Sequence, residues 1–288
     1  MLNPVSRRSL LKLASIGFPV GAMKLSGALL VAGSSLPENG RMSVSDIFPA
    51  HPPELVREMV TVAHFDLERV KKLLEARPSL ARAAWDWGFG DWETALGAAS
   101  HMGNRPIAEY LISQGAPPTL FSAAMLGQLE TVKAFLTAEP GVQRVRGPHS
   151  ISLLAHARMG DEAARAVFDL LKSLPDSDTD PPAPLTDEET FALVGTYVLG
   201  VGVTQQVDLT ADLKMYANSK MYTHPPQLNW TRKGTMTRPL FHLGNHRFYP
   251  AGAPLVRIHL TETADGMLMS ISDGELALSA LRKQHPNR

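Results

Sequence analysis

Between residues 54 and 174 apolar residues recur at three- and four-residue steps in four stretches, 66–74, 104–112, 128–136 and 161–169. Each spacing puts one apolar stripe on a helix, so each predicts an amphipathic helix whose stripe needs cover. Gly103, Gly127 and Gly160 precede three of these helices, and glycine permits the left-handed backbone of a tight helix–helix turn. Ahead of each glycine lies a segment rich in small residues, with Ala95, Ala98 and Ala99 in the first, Ala123 and Ala124 in the next and Ala157 in the last. Small side chains let neighbouring helices approach closely. From about Leu185 the period changes to two. Residues 207–211, 213–216 and 256–260 alternate apolar and polar positions, the pattern of strands in a half-buried antiparallel sheet. Asp265-Gly266 and Asp273-Gly274 supply hairpin turns.

A run of Pro, Asp and Ser from Pro175 to Pro184 separates the two periodicities and marks the clearest boundary in the chain. The division is therefore an N-terminal segment 1–34, a Ser/Pro/Gly-rich linker 35–53, about four helix pairs over 54–174, a linker over 175–184 and a β domain over 185–284. The fold class is α+β and multidomain: an α-helical solenoid followed by a small antiparallel β-sheet or barrel. One helix pair cannot bury its stripe alone, so about three or more must pack together.

Thr94-Ala95-Leu96-Gly97-Ala98-Ala99, nine residues before Gly103, is similar to the Thr-Pro-Leu-His-x-Ala signature of the ankyrin repeat, with Ala95 and Gly97 in place of Pro and His. Leu120 and Leu153 keep the same register with Gly127 and Gly160, and those glycines are 33 residues apart, the ankyrin period. Gly103 and Gly127 are 24 apart, which implies a shortened loop. Phe65 stands where the first glycine would be, so the first unit reads as a degenerate cap. An unrelated array of α-hairpins is the alternative. Ser6-Arg7-Arg8-Ser9-Leu10-Leu11-Lys12, followed by an apolar stretch to Gly33, resembles a twin-arginine export signal, which implies an exported, periplasmic protein. An ordinary amphipathic N-terminal helix is the other reading. Lys24 interrupts the apolar run, against a stable membrane span. Gly195-Thr196-Tyr197, Leu240-Phe241-His242-Leu243 and Asp273-Gly274-Glu275-Leu276 are similar to a lipocalin-like β domain often attached behind serine β-lactamase-like hydrolases.

Composition narrows the function. Apolar residues make up 44% and charged residues 19% of the 288, and the formal net charge is zero. No basic excess points to nucleic acid. Cysteine is absent, which removes disulfides, thiol nucleophiles and Cys-ligated metal centres.

Fragments of catalytic motifs do not assemble. Ser9-x-x-Lys12 falls in the export segment, Tyr216-x-Asn218 in an expected strand, and Lys233-Gly234-Thr235 scrambles the third hydrolase motif. Gly200-Val201-Gly202 lacks the third glycine and helix of a phosphate loop. His242 and His246 are four apart, but Gly244-Asn245 between them is turn chemistry, so the pair flanks a β-hairpin rather than a zinc ion. His149 and His156 bracket the first helix of the last pair and read as capping and groove-lining residues. No catalytic residue, cofactor-binding residue or metal ligand is assigned, and the protein is expected to be no enzyme. Arg238, His242, Arg247 and Arg257 are the polar residues to inspect at the domain junction, where a cleft of converging titratable groups would signal an enzyme after all.

Three of the four tryptophans fall within eight residues, in Trp85-Asp86-Trp87-Gly88-Phe89-Gly90-Asp91-Trp92. Trp85, Trp87, Phe89 and Trp92 form the candidate interaction surface, since large rigid aromatics on a loop make interface anchors. Internal packing, or docking of the β domain, is the alternative. The expected function is protein–protein interaction with a partner of unknown identity; the alternative is a β domain that carries a small apolar ligand.

Overall fold

The computed structural model describes residues 46–178, 184–202, 205–211, 220–221 and 228–283. The export-like segment, the strand expected over 213–216 and Tyr216-Ala217-Asn218 lie outside the described residues. The described residues from Ile47 onward form one compact unit.

Among the described residues eight α-helices come first: α1 (Pro53–Val62), α2 (Leu67–Ala76), α3 (Ala95–His101), α4 (Arg105–Ser113), α5 (Leu120–Met125), α6 (Leu129–Ala138), α7 (Leu153–Met159) and α8 (Arg165–Lys172). Their starts are written locally. Asp66, Thr94, Asn104, Thr119 and Ser152 each cap a helix by accepting a backbone N–H of its first turn. The second helix of the fourth pair begins late, because Asp161–Ala164 is a 3-10 turn. Between the first and second pairs the chain makes a short hairpin, β1 (Ala84–Asp86) against β2 (Trp92–Thr94).

Helices α3, α5 and α7 pack pairwise on one another, and α3 also meets α1. A one-dimensional stack would leave α3 and α7 apart, because each unit would touch only its neighbours. The turns converge as well. A side chain on Gly103 would collide with the Met159 carbonyl, one on Gly127 with Ala163, and one on Gly160 with Met125. Gly103 and Gly127 have the expected left-handed backbone, whereas Gly160, at φ −76°, is required by close approach alone.

Thr186 and Glu189 form a capping box at the start of α9 (Asp187–Leu193), a helix in a region whose sequence pattern indicated strands. Among the described residues eight strands follow: β3 (Gly195–Val198), β4 (Gln206–Thr210), β5 (Leu228–Arg232), β6 (Arg238–His242), β7 (Arg247–Pro250), β8 (Arg257–Thr263), β9 (Gly266–Asp273) and β10 (Leu276–Arg282). Every pairing is antiparallel, and β10 pairs with β3 to close a barrel that is lipocalin-like in shape. Alternation directs Val207, Leu209, Ile258, Leu260, Met269 and Ile271 into its core. The two-residue connections at β8–β9 and β9–β10 contain the expected Asp265 and Gly274. His242 ends β6 and His246 closes the β6–β7 connection, in which the turn chemistry between them lies.

Strand β6 is buried along its whole length. Leu240 belongs to the barrel core, while Phe241 joins Ala251, Ile151 and Ala155 in a small apolar seam between barrel and helices. Among the described residues no helix is long and apolar enough to cross a membrane.

Candidate metal centre

Four side chains from four separate segments converge beside this seam. His64 follows α1, Glu93 is the middle residue of β2, His101 ends α3, and His149 sits in the turn before α7. One donor atom from each lies within 4.8 Å of all the others. Glu93 Oε1 is 2.8 Å from Nε2 of His101 and 3.4 Å from Nε2 of His149, and Glu93 Oε2 is 3.6 Å from Nε2 of His64.

Local structure explains each placement. The two-residue period of β2 turns Glu93 inward and leaves Trp92 and Thr94 exposed. Thr94 caps α3, which carries His101 back over the same carboxylate. His149 and Ser150 both adopt left-handed backbone at φ 58° and 61°. Such a conformation costs a non-glycine residue about 1–3 kcal/mol and persists only where the surroundings impose it. Here Asp91 imposes it: His149 donates its backbone N–H to Oδ1 at 2.9 Å and Nδ1–H to Oδ2 at 2.7 Å. His149 therefore does not serve as the helix-capping residue expected from its sequence position; Ser152 caps α7 instead.

The second sphere is well developed. His64 donates Nδ1–H to the carbonyls of Val60 and Thr61 at 3.0 Å each, which turns its Nε2 toward Glu93. Trp87 donates its indole N–H to Glu93 Oε2 at 2.7 Å. Asp91 also accepts from Arg238 Nη1 at 3.1 Å, and Arg238 donates further to the carbonyls of Ala251 and Gly88. Arg238 thus lies at the junction where it was to be inspected, whereas His242, Arg247 and Arg257 are not among the groups that converge on Glu93.

Burial sets the electrostatics. Glu93 is completely buried, which opposes its ionisation, yet hydrogen bonds from His101 and His149 and their charges hold its carboxyl far below the usual range. Asp91 is lowered in the same way, burial being outweighed by His149 and Arg238. Burial alone would lower His149, but Asp91 and Glu93 raise it to about 9. Burial dominates at His101, which is lowered despite Glu93, and at His156, which falls to about 3.

The tryptophan-rich segment divides among different surroundings. Trp85 and Trp87 pack against the helical core, Phe89 packs on the barrel core 5.8 Å from the ring of Trp230, and Trp92 is 62% exposed. Sequence reasoning had singled out His149 but missed His64, Glu93 and His101. The inward face shared by Asp91 and Glu93, two residues apart, was the one available signal. The chain matches no protein-family model and no curated protein.

Proposed function

We propose that this chain is a metal-binding protein that holds one divalent transition-metal ion between His64, Glu93, His101 and His149. The observation that carries this reading is the mutual approach of four donor atoms to within 4.8 Å. Donors about 2.0–2.2 Å from a tetrahedral zinc ion stand about 3.3–3.6 Å from one another. The separations of 3.4 and 3.6 Å, one to each oxygen of Glu93, fall in that range; His101, drawn in to 2.8 Å by its hydrogen bond, must withdraw, and donors up to 4.8 Å apart must draw together. Three imidazoles and one carboxylate suit zinc, with copper and nickel as competitors. Asp91 behind His149 and the two carbonyls behind His64 supply the outer-sphere acceptors that orient metal-bound imidazoles. Four protein donors make a closed, structural centre rather than a catalytic one, which keeps at least one position open.

The test is equilibrium dialysis of the full chain against zinc with elemental analysis, followed by cobalt substitution. One equivalent per chain is expected, with a four-coordinate cobalt spectrum lost in Glu93→Gln. A wild-type chain that retains no metal after dialysis would overturn the reading.

A second reading joins the first. The helix pairs, ankyrin-like in their signature residues though not stacked in one dimension, would present a surface to a protein partner of an exported, periplasmic chain. The exposed indole of Trp92, next to Glu93, favours it. Its test is capture of periplasmic protein by the native chain and by Trp92→Ser; equal capture by both would remove Trp92 from the surface.

A further inference from the structure

We propose that His156 is the outer-sphere partner of His101, an inference that rests on the metal-binding reading above. A metal-bound imidazole almost always donates its remote N–H to an acceptor, which fixes the tautomer and the orientation of the ring. His64 and His149 have that acceptor in the carbonyls of Val60 and Thr61 and in Asp91. His101 is different: its Nδ1 is buried with no hydrogen-bond partner. Within α7, His156 is completely buried, and its Nε2 is likewise buried without a partner. The two rings stand edge to face, 6.5 Å between centroids.

The tautomers explain both orphans. His156 donates Nδ1–H to the carbonyl of Ser152 at 2.8 Å, so its Nε2 carries a lone pair. Without metal, His101 donates Nε2–H to Glu93, so its Nδ1 carries a lone pair as well. Two buried acceptors without partners then lie on neighbouring rings. Once Nε2 of His101 coordinates an ion, its proton must occupy Nδ1, and a donor meets an acceptor. With 6.5 Å between the ring centroids the two nitrogens are too far apart for a direct bond, and one bridging water completes the link. His156 is well held for this role. The Phe121 ring lies 4.7 Å from it, and Gly147 packs so closely that a side chain there would stand 3.1 Å from its Cε1. Coordination thus converts a buried mismatch into a buried match.

The experiment uses the full chain labelled with 15N in histidine. Long-range 1H–15N spectra with and without zinc should show His101 change from Nε2–H to Nδ1–H, with a displaced Nε2 resonance for His156. His156→Leu should weaken zinc binding by about 10- to 100-fold, and His156→Gln, which keeps an acceptor, should restore most of it. If His156→Leu does not fold, the wild-type spectra decide. A wild type that binds no zinc would sink the metal reading itself. Zinc bound with the His156 resonances unmoved would overturn this inference alone and leave that reading intact.

Discussion

Asp91 and Arg238, 147 residues apart in the chain, meet in the interior with Nη1 3.1 Å from Oδ2 and both side chains 2% exposed. Asp91 belongs to the hairpin that carries Glu93, and Arg238 begins strand β6, so the pair fastens the ligand-bearing segment to the barrel. Ser150 adds a second tie by accepting the backbone N–H of Gly252 at 2.8 Å. Removing one partner from a buried, hydrogen-bonded ion pair leaves the other charged and unpaired. Arg238→Met should therefore destabilise the protein by about 3–5 kcal/mol, read from urea unfolding. A loss under about 1 kcal/mol would show that water reaches Asp91 and replaces the guanidinium.

Gly252 offers a sharper test of the same junction. A side chain there would run into the Asp91 carboxylate, and the backbone is left-handed at φ 81°. Gly234 has a comparable φ of 86° but open space around it. Gly252→Ala combines backbone strain with overpacking and should cost about 2–4 kcal/mol. Gly234→Ala carries strain alone and should cost about 1–2 kcal/mol. Equal losses in thermal or urea unfolding would mean that the contact at Asp91 yields easily.

Metal binding should appear as stability. At free zinc 100 times the dissociation constant, linkage adds about 2.7 kcal/mol, which raises Tm by about 4–5 °C for a chain of this size. Scanning calorimetry with zinc and then with chelator measures it. Glu93→Gln should abolish the zinc-dependent rise; a rise that persists would locate the ion elsewhere.

Alkaline pH should weaken the barrel. Burial pushes the Tyr197 hydroxyl up to about 12, while Arg282 acts weakly the other way. The phenol donates to the carbonyl of Leu193 at 2.8 Å. In the unfolded chain tyrosine loses its proton near pH 10. This contribution is therefore complete below about pH 10 and is lost as pH rises from there to about 12. Tyr197→Phe should cost about 1 kcal/mol at neutral pH and flatten that stretch of the profile. A wild-type profile already flat from pH 10 to 12 would contradict the assignment.

The indoles should separate cleanly by substitution. Trp92→Ser changes an exposed side chain and should shift stability by less than about 0.5 kcal/mol. Trp87→Phe removes the donor to Glu93 and should cost about 1–3 kcal/mol. Similar losses in urea unfolding would mean that Trp92 is packed as Trp87 is.

Local pattern carried the elements well. Apolar steps of three and four located α2, α4 and α6 within a residue or two, and Ser, Thr, Asn and Asp caps mark most helix starts, because both signals depend on neighbours within one turn. Period-two alternation located β4 and β8, and Asp-Gly pairs located two turns. It misread residues 187–193, where the capping box of Thr186 and Glu189 starts a helix that the alternation beyond it concealed.

The sequence by itself determined that helix pairs precede an antiparallel β region, that the turns need glycine, and that no thiol chemistry occurs. Tertiary structure alone decided that the sheet closes, that α3 reaches α7 as well as α5, and that His64, Glu93, His101 and His149 converge. The physical reason is range. Caps, turns and periodicity act over two to four residues, whereas a ligand set drawn from positions 64 to 149 depends on how whole elements pack. Single histidines at the end of one helix or in a bend before another carry no periodic mark, so their chemistry becomes visible only where the folded chain brings them around one buried carboxylate.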